Sequence, residues 1–189
     1  MHVQNQKCRI RRKINSFRKE KKSTCKFSEI YKKAKEIKRQ KTGLTNIDIT
    51  KYLNCSPHFL GCFMDDEIQN LKLSPGCLLI VNLDVSNQRG SHWIALGIFA
   101  NKIEVFDPLG FQLFSWPTLP IGLLSFLHPI SQHKTVHVIP RIQSNTSTLC
   151  GLYCVFYVLL RPKFPVSVIT NYFSSHLSSN DSKLIRFFH

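Results

Sequence analysis

Two unbroken apolar stretches, residues 77–84 (CLLIVNLD) and 93–99 (WIALGIF), stand out first along the chain. Each has strand length and no polar alternation, so both are predicted as central strands buried on two faces. Residues 102–106 (KIEVF) and 135–139 (TVHVI) alternate instead, as strands do. Only Ala100 and Asn101 separate Phe99 from Lys102, a connection of hairpin length although it lacks a turn glycine. Helical spacing governs Ile30, Tyr31, Ala34 and Ile37, which predict a basic amphipathic helix over residues 28–43 with Gly43 as its stop. Thr45, three residues before Asp48, has the form of a capping box opening a second helix over 45–54, with Ile47, Ile49 and Leu53 toward the core. Further helices are predicted at 118–127, 151–160 and 166–176, each bounded by Pro or Gly. A terminal helix opened by Asn180 or Asp181 packs Leu184, Phe187 and Phe188. Together these elements imply an α+β fold: a mixed, mostly antiparallel central sheet flanked by helices.

Charge changes this picture at one end only. Residues 1–43 hold sixteen of the 26 Lys and Arg but three of the 11 acids, so this segment carries +13 and the remaining 146 residues only +2. The division expected is a polybasic amino-terminal arm (1–43) and a nearly neutral folded domain (44–189), with residues 1–25 lacking periodicity and ordered only by something acidic. Such an arm suits DNA, where Arg9, Arg11, Arg12, Lys13, Arg18, Lys19, Lys21, Lys22, Lys32, Lys33, Lys35, Lys38 and Arg39 are the candidates for displacing counterions from phosphates. The cluster around Lys32–Arg39 equally fits a nuclear import signal.

The longest apolar run, residues 149–160, falls short of the roughly 20 residues of a membrane span, and no secretory signal follows Met1. Seven cysteines, an odd number without a framework spacing, favour a reducing compartment, with Cys55, Cys62, Cys77 and Cys154 as packing thiols. His58, His128, His133 and His137 have no partner pattern, no zinc-ligand spacing occurs, and no metal or small-molecule cofactor is expected.

Candidate chemistry follows from the hairpin. With Phe99 facing Lys102, paired residue numbers sum to 201, and Asp107 stands opposite Ile94 and diagonal to His92 on one face. Diagonal side chains in an antiparallel pair lie roughly 7 Å apart or less at Cβ, within reach of a His–Asp hydrogen bond. A carboxylate on one imidazole nitrogen leaves the other free to take a proton from a nucleophile. Cys150 sits between a polar loop and the apolar helix beginning at Gly151, where unpaired amides and the helix dipole favour a thiolate. Gly151 lets a substrate approach the backbone, the Cys150 amide points toward a developing oxyanion, and Gln143 supplies a second neutral donor.

Those residues fall in an order that resembles the adenovirus-type cysteine endopeptidases (adenain), part of the wider group that includes the ubiquitin-like-protein-specific proteases. The resemblance spans about residues 46–160 and is carried by Tyr52 through Gly61 (YLNCSPHFLG), Ser91-His92-Trp93, Phe106 through Phe111 (FDPLGF), and Gln143 through Cys150-Gly151-Leu152. Seven positions from Gln143 to Cys150 match the adenovirus-type spacing; the related branch has one fewer. The resemblance implies a papain-like, adenain-like fold in which His92, Asp107 and Cys150 form the catalytic triad and Gln143 and Cys150 the oxyanion hole. Asp107 replaces the Glu usual in the adenovirus enzymes, with the same orienting role. It implies too a viral maturation protease that processes capsid or core precursors, prefers Gly before the scissile bond, is assisted by DNA or an activator peptide, and works in the host nucleus or the virion, a monomer by default. Residues 128–142 contain no cysteine, so the disulfide through which such a peptide attaches in that family is not expected here. Two rivals remain open on the sequence: a protease that removes ubiquitin-like modifiers, and a catalytically silent nucleic-acid-binding protein.

Overall fold

The structure is a computed structural model. It describes all residues except 1, 22–24, 70, 72 and 111–119, and of residues 2–8 and 11 the backbone alone. Lys22, the Arg11 side chain, Phe111 of the FDPLGF motif and the start of the helix expected at 118 therefore lie outside the described residues.

The strands β1 (Phe59–Met64), β2 (Leu78–Asn82), β3 (Trp93–Ile98), β4 (Lys102–Phe106) and β5 (Thr135–Val138) form one sheet in the order β1-β2-β3-β4-β5. The β2/β3 and β3/β4 pairs are antiparallel, and the β1/β2 and β4/β5 pairs are parallel. This corrects the mostly antiparallel expectation to an even split. Strand β1, not foreseen, enters beside β2, and the chain from β4 crosses over through helix α4 (Ile121–Ser131) before adding β5, as parallel neighbours require.

The two apolar runs behave as their lack of alternation implied. Leu78, Ile80 and Ala95 join the core on one face, while Leu79, Val81, Ile94 and Leu96 join that on the other. The second face is covered by α4 through Leu123, Phe126 and Leu127. The first receives α5 (Cys150–Leu160), all eleven residues of which are buried, as an all-round apolar helix must be. Around α5 pack α3 (Asn46–Leu53) and α7 (Asn180–Phe187), while α6 (Val166–Thr170) is much shorter than the 166–176 stretch expected.

At α3 the capping box is present, with the Asp48 amide on Thr45 Oγ1 at 3.1 Å and the Thr45 amide on Asp48 Oδ2 at 3.2 Å. Ile49 and Leu53 are buried as expected, but Ile47 is 75% exposed, because it lies on the outer side of a helix only eight residues long. α7 begins at Asn180, one residue earlier than a side-chain cap at Asn180 would put it and two earlier than one at Asp181; Ser179 is its cap position and makes no capping bond.

The largest correction lies in the basic segment. Residues 2–21 form helix α1 (His2–Lys21), and α2 follows (Phe27–Gln40), ending on Lys41 in the left-handed conformation, not on Gly43. Ile10, Ile14 and Phe17, spaced four and three apart, are buried in the same core as α5 and α7, and Phe17 meets Phe164 edge-on with ring centroids 5.8 Å apart. Residues 1–25 look aperiodic in sequence because apolar positions are sparse among so many charges, yet among the described residues Ile10, Ile14 and Phe17 suffice for a narrow stripe. A disulfide joins Cys25 to Cys55, so these two are neither reduced nor simple packing thiols; Cys62, Cys77, Cys150 and Cys154 are free.

Candidate active site

Strands β3 and β4 pair Ala95 with Phe106 and Ile98 with Ile103, the register in which numbers sum to 201. Just past the ladder the diagonal pair meets: His92 Nε2 lies 2.8 Å from Asp107 Oδ1, with His92 8% and Asp107 1% exposed. The same oxygen accepts the Leu109 amide at 2.8 Å, an Asx turn that fixes the carboxylate. The turn closes through the Gly110 amide on the Asp107 carbonyl at 2.9 Å. Gly110 has φ +65° and presses against Arg141, whose Cα and N would lie 2.7 Å from any Cβ placed there. Across that close approach the Pro108 carbonyl accepts the amides of Ile142 (3.0 Å) and Gln143 (2.8 Å).

The loop that leads into His92 is held by Asn82, a polar residue inside an apolar strand. Asn82 Oδ1 accepts the amides of Asp84 (3.0 Å) and Ser91 (3.3 Å), and the Leu83 amide reaches the His92 carbonyl at 2.9 Å. These bonds fix the loop that returns into β3.

With Nε2 turned to Asp107, Nδ1 is the nitrogen left for Cys150, the other side chain that raises the imidazole. Burial alone would push the imidazole down; the neighbouring Asp107 and Cys150 outweigh it and hold the ring up at about 9. Cys150 is the first residue of α5, whose N-terminus carries no side-chain cap, so the amides of the first turn are directed at the thiol's end of the helix. Burial pushes two other thiols up, Cys62 to about 12 and Cys154 well above the ordinary range, and Cys154 Sγ donates to the Trp93 carbonyl at 3.3 Å. Cys154 is thus a packing thiol.

Gly151 has a different use from the one expected. A Cβ there would lie 3.1 Å from Leu44 Cβ and from Trp93 Cδ1, so its small size lets the start of α5 settle on Trp93 instead of opening a path for a ligand. Trp93 in turn donates Nε1–H to the Leu44 carbonyl at 2.9 Å. His92 and Cys150 directly precede Trp93 and Gly151, which meet in this contact, and the turn carrying Asp107 joins them through its bond to His92.

Gln143 is buried, 1% exposed, and gives its Nε2 protons to the carbonyl (3.0 Å) and hydroxyl (3.1 Å) of Ser147, while its Oε1 is buried without a hydrogen-bond partner. Ser147 Oγ accepts the Leu149 amide at 3.3 Å and donates to Asp181 Oδ1 at 2.9 Å, which links Gln143 to the N-terminus of α5. Ser147 and Asp181 were not anticipated: a serine in a polar loop and an aspartate in a first helical turn carry no distinguishing spacing. The buried Glu104, held by Tyr157 (2.9 Å), Arg161 (2.6 and 2.9 Å) and Lys102 (2.8 Å), was missed as well, although a lone acid inside KIEVF was a visible signal. Arg161 and Lys102 outweigh its burial and hold its carboxyl at about 2.

Of the basic candidates, Arg9, Arg12, Lys13, Lys19, Lys32, Lys35, Lys38 and Arg39 are exposed, and Arg18, Lys21 and Lys33 half-buried. Lys33 lies between Glu36 (3.7 Å) and Asp48 (4.0 Å). Among the described residues no three His, Cys, Asp or Glu gather as metal ligands, and no helix is long and apolar enough to cross a membrane.

No protein-family profile matches the chain. It is 31% identical over 131 residues to the protease of Bovine adenovirus 7, an alignment covering 63% of each protein. To the protease of Bovine adenovirus 2 it is 30% identical over 121 residues, covering 58% of each. The chain thus spans less than two thirds of the length of these curated relatives, and the resemblance to the adenovirus-type endopeptidases stands as a measured similarity.

Proposed function

We propose that this chain is a cysteine endopeptidase of the adenovirus type, with the papain-like arrangement of a nucleophile-bearing helix against a histidine-bearing sheet. The observation that carries the reading is one buried imidazole, His92, hydrogen-bonded to Asp107 at 2.8 Å and raised by the cysteine that opens α5. Held up at about 9, His92 already carries the proton that Cys150 gives up near neutral pH; the sulfur attacks the scissile carbonyl, the ring delivers its proton to the leaving amine, and Asp107 fixes the ring's orientation. The tetrahedral oxyanion is met by the Cys150 amide and by Gln143, one of whose N–H bonds turns from Ser147 to the substrate oxygen. Water then hydrolyses the thioester.

The two protease relatives support a viral role, and the inherited expectation is cleavage of capsid or core precursors after glycine in the nucleus or the virion. The exposed basic residues of α1 and α2 support DNA as a partner. To test the activity, purified protein is assayed on fluorogenic peptides with glycine before the scissile bond and on ubiquitin-like conjugates. Cleavage of the peptides by the parent and none by Cys150→Ala is expected. Exclusive cleavage of conjugates would move the substrate class, and equal activity of Cys150→Ala would end the cysteine-protease reading.

A further inference from the structure

We propose that Asp181 is a positioning residue that acts through Ser147 to keep the Gln143 side chain with its nitrogen, and not its oxygen, on the side of the α5 N-terminus; the inference rests on reading Gln143 as an oxyanion donor. A serine hydroxyl has one proton and two lone pairs. Here the proton goes to Asp181 Oδ1 at 2.9 Å, and a carboxylate can only accept, so the direction of that bond is fixed. The hydroxyl is thereby an acceptor toward everything else, and it receives Gln143 Nε2 at 3.1 Å and the Leu149 amide at 3.3 Å.

Turning the Gln143 amide over would set Oε1 against the Ser147 carbonyl and against a hydroxyl whose proton is already given away. The arrangement seen leaves Oε1 buried with no partner, and a Ser147 hydroxyl free to donate could draw that oxygen to itself and weaken the preference for nitrogen. Asp181 removes that freedom.

Helix α7 is well placed for this task. Tyr153 OH donates to the same Asp181 oxygen at 3.0 Å, and the neighbouring Asn180, fully buried, donates to the Ile142 carbonyl at 2.9 Å. The first turn of α7 therefore grips the 142–149 loop at both ends, and the carboxyl-terminal helix becomes part of the apparatus that aims the amide.

The test measures kcat and KM on a fluorogenic peptide with glycine before the scissile bond. Asp181→Ala is expected to lower kcat about ten-fold with KM within about two-fold, since one donor is misdirected while the substrate groove is untouched. Asp181→Asn, whose amide oxygen still accepts from Ser147, recovers most of that loss. Ser147→Ala breaks the same link from its other end and gives a similar fall, so a folding defect in α7 does not decide the result. The double variant Asp181→Ala/Gln143→Ala is expected to be no slower than Gln143→Ala alone, because Asp181 has no further target once the amide is gone. Independent, multiplying losses would overturn the inference, as would a full-rate Asp181→Ala beside a slow Gln143→Ala. A full-rate Gln143→Ala would instead remove the oxyanion reading on which it rests.

Discussion

The carbonyl of Pro108 accepts the backbone amide of Gln143 at 2.8 Å, and so ties the turn that carries Asp107 to the loop that leads into Cys150. Through this bond two segments more than thirty residues apart are placed relative to one another. It forms only because Gly110 lets the turn lie against Arg141 without a side chain between them.

Gly110→Ala should therefore disturb Asp107 and Gln143 together. A left-handed φ of +65° and backbone atoms of Arg141 at 2.7 Å from the new Cβ predict a loss of about 2 kcal/mol or more in stability. Chemical denaturation gives the first number and peptide turnover the second; turnover is expected to fall further than the fraction of folded protein.

The His92–Asp107 pair predicts a pH dependence of stability. His92 is held up at about 9 against an ordinary 6.5, so the folded state binds the proton more tightly than the unfolded chain. The stabilisation, on the order of 3 kcal/mol, is fully present below pH 6.5 and disappears as pH rises through 9. Melting temperatures of the parent from about pH 6 to about pH 9.5 should show this fall, and His92→Asn should flatten it.

Much of this geometry was readable beforehand, and the reasons are specific. The two-residue connection at Ala100-Asn101 fixes the register, and register fixes which face Asp107 shares with His92. Cys150 was legible because an apolar helix of eleven residues must begin somewhere, and a polar loop ends just before it. Strand β1 was not legible, since Gly61 and Cys62 dilute its pattern and its register with β2 is irregular. Nor was helix α1, whose packing stripe among the described residues is Ile10, Ile14 and Phe17, nor the Ser147–Asp181 link, which depends on how α7 docks and not on any local pattern.

The disulfide between Cys25 and Cys55 closes a loop across a separation of 30 residues and links the basic helices to the end of α3. Chain entropy assigns such a loop about 3 to 4 kcal/mol. Reductant should lower the melting temperature of the parent but leave Cys25→Ser/Cys55→Ser unmoved, and the melting temperature of that variant should match that of the reduced parent.

DNA binding through α1 and α2 is best tested by charge, because deleting residues 1–43 would strip Ile14, Phe27, Ile30 and Ile37 from the core. Replacing the exposed Lys32, Lys35, Lys38 and Arg39 with Gln should keep the fold and weaken duplex binding. The slope of log K against log salt should shrink by about 0.9 for each phosphate that is no longer neutralised. An unchanged slope would remove these four residues from the interface.

One pairing, that of the Cys150 thiol with His92, underlies all of the proposed chemistry. Its direct test is the rate at which iodoacetamide labels each free cysteine near neutral pH, resolved by mass spectrometry, in the parent and in His92→Ala. Cys150 is expected to react about ten-fold or more faster than the half-buried Cys77 in the parent and to lose that advantage in His92→Ala. Cys150 labelling no faster than Cys77, or equally fast without His92, would contradict the pairing.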